Sequence, residues 1–339
     1  MSIPDVSSLS LVSQSSSEHD EQEKDNLAIL LDRYKDKLSK FPKEKGWMGQ
    51  DFYMYQGFWY TSENAFSIET MMAVQESFQG HSTDIYVITQ PKCGTTWIKA
   101  LVFAIVNRTK YKNIKPSDHP LNISNPHKCV PFLETEIIAK SFPANPPRLL
   151  ASHIPYNALP KSIIDSSCRI VYLCRNPKDV FVSWFHFANK LKDKSRTPMT
   201  TGEMLDVYAK GFMPYGPYWD HVIEYYKASS EDPTKVLFLT YEDMKIDTAS
   251  KVKRLAEFLG YPFTKEEVAN GVVEEIVTLC SFENLKEVNK NGDLFTGIPN
   301  ASFFREGKVG GWSNYLTKEM SQILDDITRE KFQGLDISF

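Results

Sequence analysis

The chain has 339 residues, of which 42% are hydrophobic and 24% charged, with a net charge of −4. That is long and apolar enough for a large core, and the charge balance argues against broad nucleic-acid binding while leaving room for a local basic pocket. The five cysteines are scattered, odd in number and free of any C-x-x-C pair, which argues against a disulfide framework or a zinc site and fits a reducing compartment.

Residues 1–24, rich in Ser, Glu and Asp, read as a disordered tail, and residues 25–339 as a single domain. No basic stretch followed by an apolar one opens the chain, and no run reaches the roughly 18 apolar residues of a membrane span. The expectation is a cytoplasmic protein that uses neither membrane nor nucleic acid. The stretch DNLAILLDRYKDKL predicts a short helix. The aromatic run FYMYQGFWY (52–60) has two readings: core or strand surface, or the wall of an apolar ligand pocket.

Four short apolar runs then stand out: DIYVIT (84–89), RLLAS (148–152), RIVYLC (169–174) and KVLFLTY (235–241). Such runs suit strands buried on both faces of a parallel sheet. Between or after them lie helical patterns. From Thr95 to Arg108 the residues Trp97, Ile98, Leu101, Val102, Ile105 and Val106 fall on one stripe. In NPKDVFVSWFHFANK, Asn176 is placed as N-cap and Pro177 at the first helical position. In ASKVKRLAEFLG, Gly260 closes the helix. This alternation predicts an α/β fold, a mostly parallel central sheet flanked by helices. Two stretches escape the pattern: the polar loop KDKSRTPMTTG (192–202), and residues 283–312, whose length and lack of a sustained period predict a lid or binding loop.

Each predicted strand is followed by a polar group: Lys92 after the first, His153 after the second, Arg175 after the third and Tyr241 at the end of the fourth. In an open parallel sheet the carboxyl ends of the strands form the ligand crevice, so all four groups should gather along one edge. The loop QPKCGTTW carries the chemistry. Gly94 allows close backbone approach, Thr95 and Thr96 open a helix, and the first amides of a helix attract anions. Lys92 adds a mobile positive charge. The alternative is a plain strand–turn–helix with a capping threonine. The loop is not a Walker A motif, because its lysine precedes the only glycine and no acidic residue is placed to hold Mg²⁺. Any nucleotide bound here would be neutralised without metal.

QPKCGTTW resembles the phosphosulfate loop of cytosolic sulfotransferases, a P-loop-like strand–loop–helix usually written P-K-S-G-T-T-W. YLCRNPKDVFVSWFHF resembles their 3′-phosphate segment, and YEDM (241–244) and FFREGKVGGW (303–312) resemble two further blocks. The resemblance runs from about residue 50 to the C-terminus, and YQGFWY, CSFENL and EVNK look like the plant branch. It implies transfer of a sulfuryl group from 3′-phosphoadenosine 5′-phosphosulfate (PAPS) to a hydroxyl of a small acceptor, by direct in-line transfer. By motif, Lys92, Cys93, Gly94, Thr95 and Thr96 would hold the phosphosulfate, and Trp97 would stack on the adenine. Arg175 and Ser183 would bind the 3′-phosphate, Tyr241 would meet the adenine side with CSF (280–282) near it, and Arg305, Glu306 and Gly307 would close over the 3′-phosphate. His153, in ASHIP, matches the catalytic base, and Lys92 would stabilise the leaving group. The implied acceptors are a flavonoid, a hydroxylated hormone such as a jasmonate or brassinosteroid, or a desulfoglucosinolate. The segment 52–60, Phe142, Phe187 and the lid from Phe295 to Phe304 would suit a flat or apolar ring.

There are departures. Cys93 replaces the usual serine and brings redox sensitivity if its pKa is lowered. Gln90 stands where an aromatic is common, and Glu306 replaces a lysine, weakening the 3′-phosphate site. The stretch VGGWSNYLTKEM lacks the family's dimer pattern, so a monomer or weak homodimer is expected. Simpler readings stand beside these: His153 as a satisfied loop histidine, Arg175 as an ion-pair partner of Asp179, Ser183 as a buried helix serine, Tyr241 as a half-buried strand end. His19, His81, His119, His127, His186 and His221 match no motif and read as structural. The rival functions are an ATP-dependent P-loop phosphotransferase and a non-catalytic PAPS-binding protein with a decayed site.

Overall fold

The computed structural model describes residues 22, 25–46, 50–62, 64–112, 114–191, 197–294 and 298–339. The expected tail at 1–24 lies outside the described residues except for Gln22, as do residues 192–196 of the polar loop and Phe295. A helix covers 25–38 as the sequence predicts. Strands β1 (Lys43–Lys45), β2 (Asp51–Tyr55) and β3 (Phe58–Tyr60) form an antiparallel sheet. The four apolar runs become β4 (Ile85–Thr89), β5 (Leu149–Ser152), β6 (Arg169–Cys174) and β7 (Val236–Thr240), joined in parallel in the order β5-β4-β6-β7.

The period of two along each strand sorts its side chains onto two cores. Tyr86, Ile88, Leu150, Ile170, Tyr172 and Val236 face one hydrophobic cluster, and Ile85, Val87, Leu149, Val171, Leu173 and Leu237 face the other. Helices Pro177–Leu191 and Tyr218–Glu231 cover the first face, and helices Thr95–Asn107 and Thr248–Phe258 the second. Burial on both faces is why these strands read as unbroken apolar runs. The expected caps are present. Asn176 Oδ1 accepts from Lys178 N at 2.9 Å, and Gly260 closes its helix at φ +78°.

The segment 52–60 is core rather than pocket wall. Gln56 and Gly57 both have positive φ, 49° and 85°, making a tight hairpin turn that stacks β2 on β3. Phe52, Phe58, Trp59 and Tyr60 are thereby buried, and Phe142 packs on Phe78 at 5.0 Å. The stretch 283–312 is also more regular than its sequence indicates. It opens as a helix, Phe282–Val288, capped by the Ser281 side chain. It continues through the paired β8 (Asp293–Leu294) and β9 (Ile298–Pro299) and two 3₁₀ turns. Among the described residues no helix is long and apolar enough to cross a membrane.

At the end of the sheet away from the polar groups, a buried ion pair ties β4 to β5. Asp84 Oδ1 accepts from Arg148 Nε at 2.8 Å, and Oδ2 accepts from Arg148 Nη2, Tyr86 Oη and His81 N at 2.5, 2.7 and 2.8 Å. Burial alone would raise the Asp84 pKa, but these four donors outweigh it and hold the group below its ordinary value. Asp84→Ala would strand a buried guanidinium, and we expect it to lower stability by about 3–5 kcal/mol in urea unfolding; a loss under about 1 kcal/mol would show that water reaches Arg148.

Candidate active site

Between β4 and helix Thr95–Asn107 the chain turns within five residues. Two of them take left-handed backbone, Lys92 at φ 71° and Gly94 at φ 102°. Gly94 is required twice over. Its φ disfavours any side chain, and a β-carbon there would lie 2.9 Å from the Tyr241 ring. Gly94 is also the helix N-cap, with no side chain to occupy the first amides, so their donors face whatever anion the cleft admits.

The strand ends do converge. One cavity of about 670 Å³ is lined by Lys92, Gly94, Thr95, Thr96, Trp97, His153, Arg175, Ser183, Tyr241, Arg305, Glu306 and Gly307. Cys93 is the exception among the expected residues. It is fully buried in the core on the first face of the sheet, and its amide donates to Gln90 O at 3.2 Å. Burial pushes its thiol well above the ordinary range, more than the nearby Arg175 lowers it. The expected redox sensitivity is therefore corrected: a buried thiol with a raised pKa is a poor nucleophile.

Lys92 Nζ lies 3.7 Å from the centre of the Phe187 ring. Burial, then Arg175, Arg305 and Lys190, bring its pKa down to about 7. The side chain keeps some exposure at the surface, and three like charges converge on it. The Thr95 hydroxyl is engaged by the Thr89 hydroxyl at 2.6 Å, and Thr96 Oγ1 lies 3.1 Å from His127 Nε2.

His153 sits at the end of β5 with Nδ1 2.7 Å from Thr89 O. A carbonyl only accepts, so Nδ1 carries the hydrogen and the neutral ring keeps its lone pair on Nε2. Burial brings this imidazole down to about 3, with Lys99, His221 and Lys92 adding to the effect against the raising influence of the Thr89 bond. The backbone of His153 is held on both sides. Its amide donates to Glu134 Oε1 at 2.9 Å, and its carbonyl accepts from His221 Nε2 at 3.0 Å. His221 Nδ1 in turn accepts from Tyr172 Oη at 2.9 Å, in keeping with a structural role for His221. Rings of Phe132, Tyr215 and Phe66 surround His153 at 4.9, 5.7 and 5.9 Å.

The segment over the opposite end of the cavity is clasped by side chains of the strand ends. Arg175 Nη2 donates to Lys308 O at 2.7 Å, and Tyr241 Oη to Gly307 O at 3.0 Å. Asp179, fully buried, accepts from Gly310 N and Trp312 N at 2.8 and 3.0 Å. Arg175 also approaches Asp179, at 3.8 Å, so the simple ion-pair reading is realised together with cavity lining. Arg175 Nε is buried and has no hydrogen-bond partner among the described residues. A lone buried donor beside a cavity fits an anionic acceptor. Glu306 turns back on Arg305, Oε1 accepting from Nη1 at 2.9 Å and from Tyr315 Oη at 3.4 Å.

Sequence reasoning missed several groups. His127 and His186, read as structural, line the cavity, and so do Phe66, Phe132 and Tyr215. Lys99 and Glu134 are fully buried behind it. The one available signal for Lys99 was a lysine within an otherwise apolar helix. Among the described residues, no group of three or more His, Cys, Asp or Glu could hold a metal ion. From the burial of Cys93 we expect Cys93→Ser to leave the rate of peroxide inactivation unchanged; slower inactivation in the variant would restore the redox reading.

Comparison with known proteins agrees with this geometry. A family model described as a sulfotransferase domain matches residues 82–336. Cytosolic sulfotransferase 13 of Arabidopsis thaliana is 43% identical over 312 residues, 91% of this chain and 94% of the relative. Flavonol 4′-sulfotransferase of Flaveria chlorifolia is 44% identical over 288 residues, 83% and 88% of the two chains. Among solved structures, an Arabidopsis thaliana sulphotransferase superimposes with a TM-score of 0.71 at 39% identity, covering 90% of this chain and 94% of that one. A mouse sulfotransferase, SULT7A1, complexed with PAP gives 0.63 at 25% identity, covering 84% and 95%. The chain belongs to the sulfotransferase family, the PAPS-dependent enzymes that its four motif blocks resemble.

Proposed function

We propose that residues 25–339 act as one cytosolic sulfotransferase domain that moves the sulfuryl group of PAPS onto a hydroxyl of a small, flat plant metabolite, with His153 as general base. The observation that carries this reading is the His153 Nδ1–Thr89 bond, which leaves Nε2 as the basic atom of a residue lining the same cavity as the Lys92 loop. In this reading the phosphosulfate rests on Lys92 and the amides of Gly94, Thr95 and Thr96. The 3′-phosphate meets Arg175, Ser183 and Arg305, with Gly307 over it, and the adenine lies between Trp97 and Tyr241. Two separated anionic groups need two basic clusters, and Arg175 Nε is a buried donor still lacking its acceptor.

The acceptor oxygen attacks sulfur while Nε2 of His153 takes its proton, and the bond from sulfur to the bridging phosphate oxygen breaks. Negative charge growing on that oxygen is met by Lys92. A base held down to about 3 is weak, but it is neutral throughout the physiological range, and the acceptor proton becomes acidic as the new S–O bond forms. The rings of Phe66, Phe132, Tyr215, Phe187 and Phe303 support a planar acceptor. A flavonoid is favoured among the candidates by the name of the Flaveria relative, ahead of a hydroxylated hormone or a desulfoglucosinolate. The cytosolic names of the Arabidopsis relatives support a cytoplasmic location.

Thermal unfolding with 3′,5′-adenosine bisphosphate against ATP plus Mg²⁺ tests the cofactor class. We expect the midpoint to rise with the bisphosphate alone; a rise only with ATP and Mg²⁺ would favour the phosphotransferase, and none with either a decayed site. We expect His153→Ala to lower kcat about 10²–10⁴-fold while bisphosphate affinity stays within about threefold, and retained turnover would exclude His153 as the base. Free Lys92 titrates near 7, and a bound anion keeps it charged to higher pH. At pH 8, then, bisphosphate binding should take up close to one proton through Lys92, roughly the amount by which Lys92→Met should lower it. Calorimetry in buffers of different ionisation enthalpy measures this, and equal uptake in the two proteins would contradict it.

A further inference from the structure

Lys99 lies in the second turn of helix Thr95–Asn107 and is fully buried. A lysine in such a position must find acceptors or give up its proton. Its Nζ lies 3.0 Å from His127 Nδ1 and 3.2 Å from the centre of the Phe132 ring. The other nitrogen of His127, Nε2, lies 3.1 Å from Thr96 Oγ1, which is on the first turn of the same helix and lines the cavity.

A neutral imidazole carries one hydrogen, so the two bonds are coupled. When Lys99 is an ammonium it donates to Nδ1. Nε2 then holds the hydrogen and donates to Thr96 Oγ1, and the threonine hydrogen is free to point at an acceptor in the cavity. Only when Lys99 is a neutral amine, which has a lone pair as well as N–H groups, can it instead accept from Nδ1–H. In that tautomer Nε2 accepts from Thr96, whose lone pairs face the cavity. The first arrangement welcomes an anion and the second repels it.

We propose that Lys99 and His127 are positioning residues that set the hydrogen-bond direction of Thr96, so that an anionic oxygen on the loop and a charged Lys99 favour each other across the chain Lys99–His127–Thr96. The proposal rests on the reading of this loop as the phosphosulfate site. Burial drives Lys99 well below its ordinary range, against the pull of Glu134, Cys129 and Glu136. Burial also keeps His127 neutral, with Lys99, His153 and Lys92 acting in the same direction. An anion on the loop pulls Lys99 toward its charged form, and by linkage a charged Lys99 tightens the anion equally.

Calorimetric binding of 3′,5′-adenosine bisphosphate to wild type, Lys99→Met, Thr96→Val and the double variant tests this. Methionine keeps the length without the charge, and replacing a buried charge by an apolar chain often leaves stability intact. Lys99→Met is expected to weaken binding about tenfold when Thr96 is present and less than about twofold when it is valine. Equal weakening in both backgrounds would mean that Lys99 acts through space or through general structure, and would overturn the relay, as would no weakening with Thr96 present. A readout without substitution is the ¹⁵N spectrum of the His127 ring in wild-type protein saturated with the bisphosphate. The Nε2–H tautomer is expected, and the Nδ1–H tautomer in the complex would overturn the proposal. Failure of the wild type to bind the bisphosphate would instead remove the loop assignment, and the relay with it.

Discussion

The turn from β4 into helix Thr95–Asn107 is the constraint on which the rest of the site depends. Its backbone reverses within five residues only because Gly94 tolerates φ 102° with the Tyr241 ring against it. That close approach brings together the ends of β4 and β7, which lie two strands apart in the sheet, with β6 between them. It also leaves the helix N-terminus uncapped and open to the cleft. Parallel strand direction does the remainder, because four carboxyl ends emerge on one side and carry Lys92, His153, Arg175 and Tyr241 into one cavity.

Electrostatics within that cavity follow from the same convergence. Lys92, Arg175 and Arg305 share a confined space, and burial together with the two guanidinium groups makes the Lys92 charge harder to keep. Two buried carboxylates, Asp179 and Glu134, anchor the backbone around the cavity. Asp179 grips two amides of the segment 310–312, and Glu134 accepts from Ser152, His153 and Tyr215. Asp179 also stands 3.8 Å from Arg175, and Glu306 pairs with Arg305 at the cavity wall, so two of the basic groups carry a counter-charge. The hydrogen bonds of Asp179 and Glu134 go to backbone and hydroxyl donors, which fixes the backbone that carries His153 and the segment 310–312.

The aromatic residues divide by local geometry rather than by composition. Phe52, Phe58, Trp59 and Tyr60 of β2 and β3 are buried in a hairpin locked by a two-residue turn, whereas Phe132 and Tyr215 reach the cavity and lie beside His153. Nothing in the composition of 52–60 distinguishes it from a ligand wall. Equally, nothing in the sequence around His127 marks it, because its partner Thr96 is 31 residues earlier and the contact forms only when Asn125 caps a one-turn helix beneath the loop.

What the sequence by itself determined is local. The four strands, their order of polar ends, the three helices (two of them with their caps) and the glycine-containing loop after β4 were all legible, because each depends on a period, a cap or a glycine within a few residues. In 283–312 the short helix and hairpin were not legible because they lack the length that makes a period visible, although part of the stretch lines the cavity as a binding loop would. Only the tertiary structure decided that Cys93 turns into the core, that Asp84 meets Arg148, and that Lys99, His127 and Thr96 form a chain. Those outcomes join residues far apart in the chain, or turn on which face of the backbone is buried, and packing rather than local propensity settles both.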